Sequence, residues 1–146
     1  MKYNRVRGVN KDWSVITLGC WQIAPSYGWG DLCPEKDSQK VIHKALDMGI
    51  TAFDTAEGYG DGESERRLGK ALGSQKESAI IISKIWPEAG QTLKDYTSAL
   101  ENSLRALERD YVDSNRKFCE IFFSIFWPFF RFFCNLDVQN PSITKL

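Results

Sequence analysis

Histidine is nearly absent: the 146 residues contain one, His43. An excess of either charge is absent as well. Nineteen Lys and Arg balance nineteen Asp and Glu. No basic patch or stripe stands out, so the charge pattern gives no case for binding nucleic acid or an anionic membrane surface. The opening residues, MKYNRVRGVNKDW, lack the apolar segment of a secretory signal. The four cysteines, Cys20, Cys33, Cys119 and Cys134, form no CxxC pair. Together these absences lead to the expectation of reduced thiols in a cytoplasmic protein. The length suffices for one ordinary domain with a real core.

What is present divides into two unlike parts. Up to residue 113 short apolar strands alternate with amphipathic helices. SVITLG (14–19), ITAFD (50–54) and SAIIISK (78–84) are apolar and rich in β-branched residues, the composition of parallel strands covered on both faces. A first helix is expected from about Asp37, which can cap it, to Met48, with Val41, Ile42, Ala45 and Leu46 on one face and Gly49 taking the left-handed turn after it. A second runs from Ser64 to Leu72. The third, Leu93 to Glu108, opens on Thr92 and Asp95, which can form a capping box, and pairs Glu101 with Arg105. This order implies right-handed parallel crossovers. Before them, KYNRV and KDWSV flank RGVN as a small hairpin. From Ser114 the composition changes. Eight of the nine phenylalanines lie between Phe118 and Phe133, the other being Phe53. The expected division is therefore residues 1–113 and an unrelated Phe-rich tail, 114–146.

Within the first part, FDTAEGYGDGESERRLGKAL (53–72) presents an aspartate at a strand end, then a tyrosine five positions on, in a glycine-rich loop that opens into a helix. With ITLGCWQ (16–22), IIISKIW (80–86) and LENSLRALERDYVD (100–113), this stretch makes residues 1–113 resemble an aldo-keto reductase. The resemblance implies an α/β fold, a partial (β/α)8 TIM barrel of about three strand–helix units preceded by a short N-terminal β-hairpin. It implies NADP(H)-dependent reduction of aldehydes or ketones, with a small carbonyl substrate. Tyr59 matches the family's proton donor, Lys84 the lysine beside it and Asp54 the carboxylate that holds the lysine. The chemistry accounts for the grouping, because a free tyrosine has a pKa of about 10 and a neighbouring ammonium favours its phenolate. Asp54 and Lys84 end adjacent strands on the face where barrel enzymes place their sites. Cys20, Trp21 and Asp54 match positions near the nicotinamide end of the cofactor, although Trp21 reads equally well as core. Trp29, in YGWGD, is a loop aromatic that could line a substrate pocket. Gly58, Gly60 and Gly62 suit a tight loop and are not a dinucleotide fingerprint, which needs its own strand–turn–helix setting.

The family's further catalytic residue is usually a histidine five positions past the Asp of YVD. Here that Asp is Asp113, and position 118 is Phe. His43 is expected on the polar, solvent side of its helix. Some relatives, potassium-channel β subunits among them, also do without this histidine. A full barrel takes about 250 residues, and the family's main contacts to the cofactor phosphates and adenine lie in the half with no counterpart here. The expectation is thus a family activity impaired by truncation. The alternative is a non-catalytic isoform that acts as a binding fragment or has no function. Residues 118–134 reach the lower length limit for a membrane span but carry Glu120, Pro128 and Arg131. A loose aromatic segment is the preferred reading of the tail.

Overall fold

The apolar run around Ile80 becomes the middle of the sheet. The computed structural model describes residues 1–6, 8–25, 33–85 and 92–117. A two-stranded antiparallel hairpin comes first, β1 (Tyr3–Asn4) and β2 (Trp13–Ser14), with Tyr3 opposite Ser14. There follow β3 (Thr17–Gly19), a helical turn at Trp21–Ile23, α1 (Glu35–Asp47), β4 (Ala52–Asp54), α2 (Glu63–Leu72), β5 (Ile80–Ile85), α3 (Leu93–Leu107) and β6 (Ser114–Lys117). The second sheet has the order β3-β4-β5-β6, every pair parallel. All six residues of β5 are buried, as a strand covered on both faces requires. With the helices between successive strands, this is the expected partial barrel, extended by one strand.

Each helix turns a narrow apolar face to the sheet. Ile42 and Ala45 of α1, Leu68 and Leu72 of α2 and Leu104 and Leu107 of α3 join Phe53 and Ile81 in one buried cluster. The capping box at Thr92 and Asp95 forms as the sequence indicates, and Gly49 ends α1 with φ +80°. Two local expectations differ. Asp37 does not cap α1: Pro34 stands at the cap, and Asp37 pairs with Lys40 at 2.8 Å. The proline's fixed φ, −60°, starts the helix three residues earlier than the polar cap would. Arg105 bonds to Asn102 and to the Glu101 carbonyl oxygen rather than to the Glu101 carboxylate. His43 is exposed as expected, yet its Nε2–H donates to the Ala71 carbonyl at 2.9 Å, linking α1 to the end of α2.

Ser114–Lys117, which composition assigns to the tail, pairs along β5 from Ile82↔Ser114 to Ile85↔Lys117. Asp113 sets this register. Its N–H donates to the Ile81 carbonyl at 3.0 Å, and its carboxylate accepts the Ile81 N–H at 2.9 Å. Backbone pairing needs no apolar side chains, and among the described residues β6 is an outer strand, where polar side chains are at home. The rest of the tail, including Cys119, Cys134 and 118–134, lies outside the described residues.

The hairpin covers the amino ends of the strands. Ser14 and Thr51 exchange two hydrogen bonds of 3.0 Å, and the Tyr3 hydroxyl donates to the Gly49 carbonyl. Lys11 reaches further, to the Ala79 carbonyl at 2.9 Å and the Asp113 carboxylate at 2.8 Å, where buried Arg109 also pairs at 3.2 Å. The opposite, carboxyl ends of β4 and β5 remain for chemistry.

α2 and α3 touch backbone to backbone at Gly69. A Cβ there would lie 2.5 Å from the Leu107 carbonyl oxygen and 2.7 Å from its carbon. Glycine to alanine inside a helix ordinarily stabilises, by about 0.5–1 kcal/mol. Here overpacking reverses the sign: Gly69→Ala is expected to destabilise by about 1–3 kcal/mol. Urea denaturation checks this, and an unchanged or raised midpoint would show that the two helices can part at no cost.

Candidate active site

Successive side chains on a strand point to opposite faces, and β5 uses this at Ser83 and Lys84. Ser83 faces α2, where its hydroxyl donates to Glu65 Oε1 at 2.5 Å. Lys84 faces the other way, into the sheet interior, at 2% exposure. An ammonium there needs acceptors for its three protons. It finds the Asp54 carboxylate in a short contact, the Thr55 carbonyl at 2.8 Å and the Tyr59 hydroxyl at 3.2 Å. It also sits 4.9 Å from the centre of the Tyr59 ring.

The backbone makes that meeting possible. Asp54 is the last residue of β4, and the chain beyond it continues to pair with β5. The Thr55 N–H donates to the Ile82 carbonyl at 2.8 Å and the Glu57 N–H to the Lys84 carbonyl at 3.2 Å. The loop then turns through three left-handed residues, Gly60, Asp61 and Gly62, with φ +63°, +57° and +80°. At Gly60 a Cβ would also meet the Pro25 carbonyl oxygen at 2.8 Å. So the glycines serve a tight return that leaves Tyr59 buried over Lys84 and starts α2 at once. Ser64, in the first turn of α2, ties the assembly together: its hydroxyl lies 2.9 Å from the Thr55 hydroxyl and donates to the Cys20 carbonyl at 2.7 Å.

β3 delivers the remaining residues. The Cys20 N–H donates to the Asp54 carbonyl at 2.8 Å. Burial, reinforced by the Asp54 charge and opposed by Lys84, pushes the Cys20 thiol up to about 12. It therefore stays protonated and is no thiolate nucleophile. Trp21 packs its ring against Tyr59, centroids 4.9 Å apart and planes at 36°, and remains 38% exposed. The fold thus brings together Asp54, Tyr59, Lys84, Cys20 and Trp21. Trp29 lies outside the described residues. Among the described residues no group of His, Cys, Asp or Glu could hold a metal ion, and no helix is long and apolar enough to cross a membrane.

Two participants escaped sequence reasoning. The Thr55 carbonyl is backbone and leaves no residue signal. Glu65 does leave one: it stands three and seven positions before Leu68 and Leu72, on the buried stripe of α2. It is 1% exposed, and burial pushes its carboxyl up to about 6 against the Ser83 hydrogen bond.

Comparison with known proteins gives the arrangement a family. The model of the Aldo/keto reductase family matches residues 15–115. An uncharacterized oxidoreductase of Mycobacterium tuberculosis is 37% identical over 110 residues, covering 75% of this chain and 32% of that protein. The aldo-keto reductase YhdN of Bacillus subtilis is 33% identical, covering 88% and 38%. Among solved structures, the thermostable aldo-keto reductase Tm1743, in complex with the inhibitor epalrestat, matches with a TM-score of 0.68 and 33% identity, over 79% of this chain and 42% of that one. An aldo/keto reductase from Klebsiella pneumoniae in complex with NADP and acetate matches at 0.58 and 31%, over 71% and 35%. The chain belongs to the aldo/keto reductase family, and it spans 32% and 38% of the length of these two curated relatives.

The buried ammonium leads to an ordering of two variants. Asp54→Ala leaves Lys84 charged and buried without its counter-ion, so a loss of about 3 kcal/mol is expected. Lys84→Met removes the charge and keeps the volume, while Asp54, 35% exposed, can rehydrate. A loss under about 1.5 kcal/mol is expected there. Equal losses in chemical denaturation, or the reverse order, would mean that Lys84 does not depend on Asp54.

Glu65 gives a pH dependence. Its folded pKa lies above the ordinary 4.5, so the folded chain holds the proton longer. That stabilisation is complete below about 4.5 and is lost as pH rises to about 6, costing about 2 kcal/mol thereafter. Glu63, held down to about 2 chiefly by its hydrogen bond to Arg66, titrates below this window. Glu65→Gln keeps the acceptor for Ser83 and removes the titration. Its stability minus that of the parent should therefore grow across this window, as measured by denaturation at pH 4.5 and 7. A constant difference would show that the carboxyl titrates in the ordinary range.

Proposed function

We propose that this chain carries the proton-transfer side of an aldo/keto reductase site, acting on a small aldehyde or ketone with NADP(H), with Tyr59 as the proton donor. One observation carries the reading: the Lys84 ammonium joins the Tyr59 hydroxyl to Asp54. When Tyr59 gives its proton to a carbonyl oxygen, the ammonium beside it stabilises the negative charge left on the phenol oxygen. Asp54 and the Thr55 carbonyl hold the ammonium at that spot. The protonated Cys20 thiol adds no competing nucleophile for the carbonyl carbon.

The residues present suit the nicotinamide end of the cofactor. Trp21 offers a partly exposed aromatic face beside Tyr59, and Cys20, Trp21 and Asp54 are the residues that would hold it. The NADP bound by the Klebsiella pneumoniae relative supports this assignment. When bound, the cofactor supplies the hydride. The glycine loop cradles no phosphate in this reading, since its tight turn is filled by Pro25 and Ala24.

The 146 residues alone are expected to show no NADPH oxidation with a reactive aldehyde such as a nitrobenzaldehyde. Turnover that Tyr59→Phe abolishes would overturn that expectation while supporting the donor. The donor itself is tested by exchanging residues 15–115 into the Bacillus subtilis relative. Turnover in that chimera should fall about 10²–10⁴-fold with Tyr59→Phe, and an unchanged rate would sink the assignment. A second reading, a non-catalytic chain that acts by binding, is favoured by one observation, the exposed outer strand β3.

A further inference from the structure

Ser64 is the second residue of α2 and is fully buried. A serine hydroxyl has one proton to give and two lone pairs to share. The proton goes to the Cys20 carbonyl at 2.7 Å, so in the 2.9 Å contact with the Thr55 hydroxyl it is Thr55 that donates. The Ser64 N–H, a helix-start donor that no earlier turn of α2 can satisfy, goes to the Tyr59 carbonyl at 3.1 Å. One residue therefore bonds to the residue after β3, the residue after β4 and the loop that carries Tyr59. Serine near a helix start often bonds within its own helix. Ser38 of α1 does so: its hydroxyl, equally buried, donates to the Glu35 carbonyl at 2.7 Å. The Ser64 hydroxyl instead leaves its helix, and both its partners already serve the site. The Thr55 carbonyl accepts from Lys84 at 2.8 Å, and the Cys20 carbonyl belongs to the peptide that leads into Trp21.

We infer that Ser64 is a positioning residue that sets the cofactor-facing pair against the proton donor. Its hydroxyl ties the Cys20–Trp21 peptide to Thr55, and its N–H ties the same point of α2 to Tyr59. The Trp21 and Tyr59 rings, 4.9 Å between centroids, thereby keep one relative placement. Buried as it is, Ser64 touches neither substrate nor cofactor. The tie matters most on the β3 side, where among the described residues the strand has a neighbour on one side. Hydrogen bonds linked in this way hold their members more firmly than each would alone. This role rests on the assignment of Tyr59 as donor and of Cys20 and Trp21 as cofactor-facing residues.

Fluorine NMR of the full chain tests the placement. With fluorotryptophan and, separately, fluorotyrosine incorporated, Trp21→Phe and Tyr59→Phe assign the two resonances. Ser64→Ala should move both beyond their line widths. Ser14→Ala removes another buried hydroxyl, one that donates to the Ile16 carbonyl at the amino ends of the strands. It should lower stability and move neither. If Ser64→Ala does not fold, Ser64→Cys, which fills the same space with a weak donor, takes its place. In the chimera with the Bacillus subtilis relative, Ser64→Ala should lower kcat about 10–100-fold and raise the KM for NADPH. Resonances that stay in place, or unchanged kcat and KM, would overturn the proposal and leave Ser64 a role in stability alone. A chimera rate indifferent to Tyr59→Phe would sink the donor assignment and this role with it. A rate that Tyr59→Phe abolishes, beside resonances that Ser64→Ala does not move, would overturn the role of Ser64 alone.

Discussion

A lysine ammonium buried at 2% exposure sets the terms for everything around it. Desolvating the ion costs several kcal/mol, returned only if all its protons find acceptors in good geometry. The three acceptors come from three kinds of chain position: a strand-end carboxylate, Asp54, a backbone carbonyl, Thr55, and a loop hydroxyl, Tyr59. None can move independently. Asp54 is fixed by its ladder to β5 and by the Cys20 N–H on the other side. Thr55 is fixed by the Ile82 carbonyl. Tyr59 is fixed by a turn of three left-handed residues that only a glycine-rich loop accepts comfortably. The loop's composition, the start of α2 and the β4–β5 register are thus consequences of one buried charge as much as of apolar packing.

Much of this was legible in the sequence, for physical reasons. β5 reads as a strand because Ile80, Ile81 and Ile82 form the apolar β-branched run of a strand buried on both faces. The α3 cap reads correctly because Thr92 and Asp95 satisfy each other's neighbouring backbone within one turn, with no help from the rest of the fold. Asp54, Tyr59 and Lys84 were found through their match to the family's pattern, and their places at two strand ends and in the loop between suit that match. β6 was hidden because it is held by backbone hydrogen bonds, here registered by Asp113, and Ser-Asn-Arg-Lys offers no apolar period. Glu65 was hidden for the opposite reason. A charged letter suggests solvent, and only its position on the Leu68–Leu72 stripe places it inside. Asp37 was misassigned because a cap is decided by the residue that leaves the helical path, and Pro34 leaves it first.

The site and the outer strands of the described sheet lie at different depths. Asp54 belongs to β4, flanked by β3 and β5, and Lys84 to β5, flanked by β4 and β6. Tyr59 hangs from the loop that joins β4 to α2, and Glu65 braces β5 from the helix side through Ser83. Asp54 and Lys84 therefore rest on strands with both neighbours present and Tyr59 on the loop after one of them, while among the strands of this sheet β3 and the residues just before it are the exposed ones. Local opening in proteins begins where backbone bonds are exposed and contacts are few. Fraying of β3 would first reach Cys20 and Trp21, two of the three residues proposed for the nicotinamide end, and only then Asp54 and Lys84. The Lys84 cluster and the Cys20–Trp21 pair thus differ in what holds them: the first rests within the sheet, the second follows a strand that, among the described residues, has a neighbour on one side.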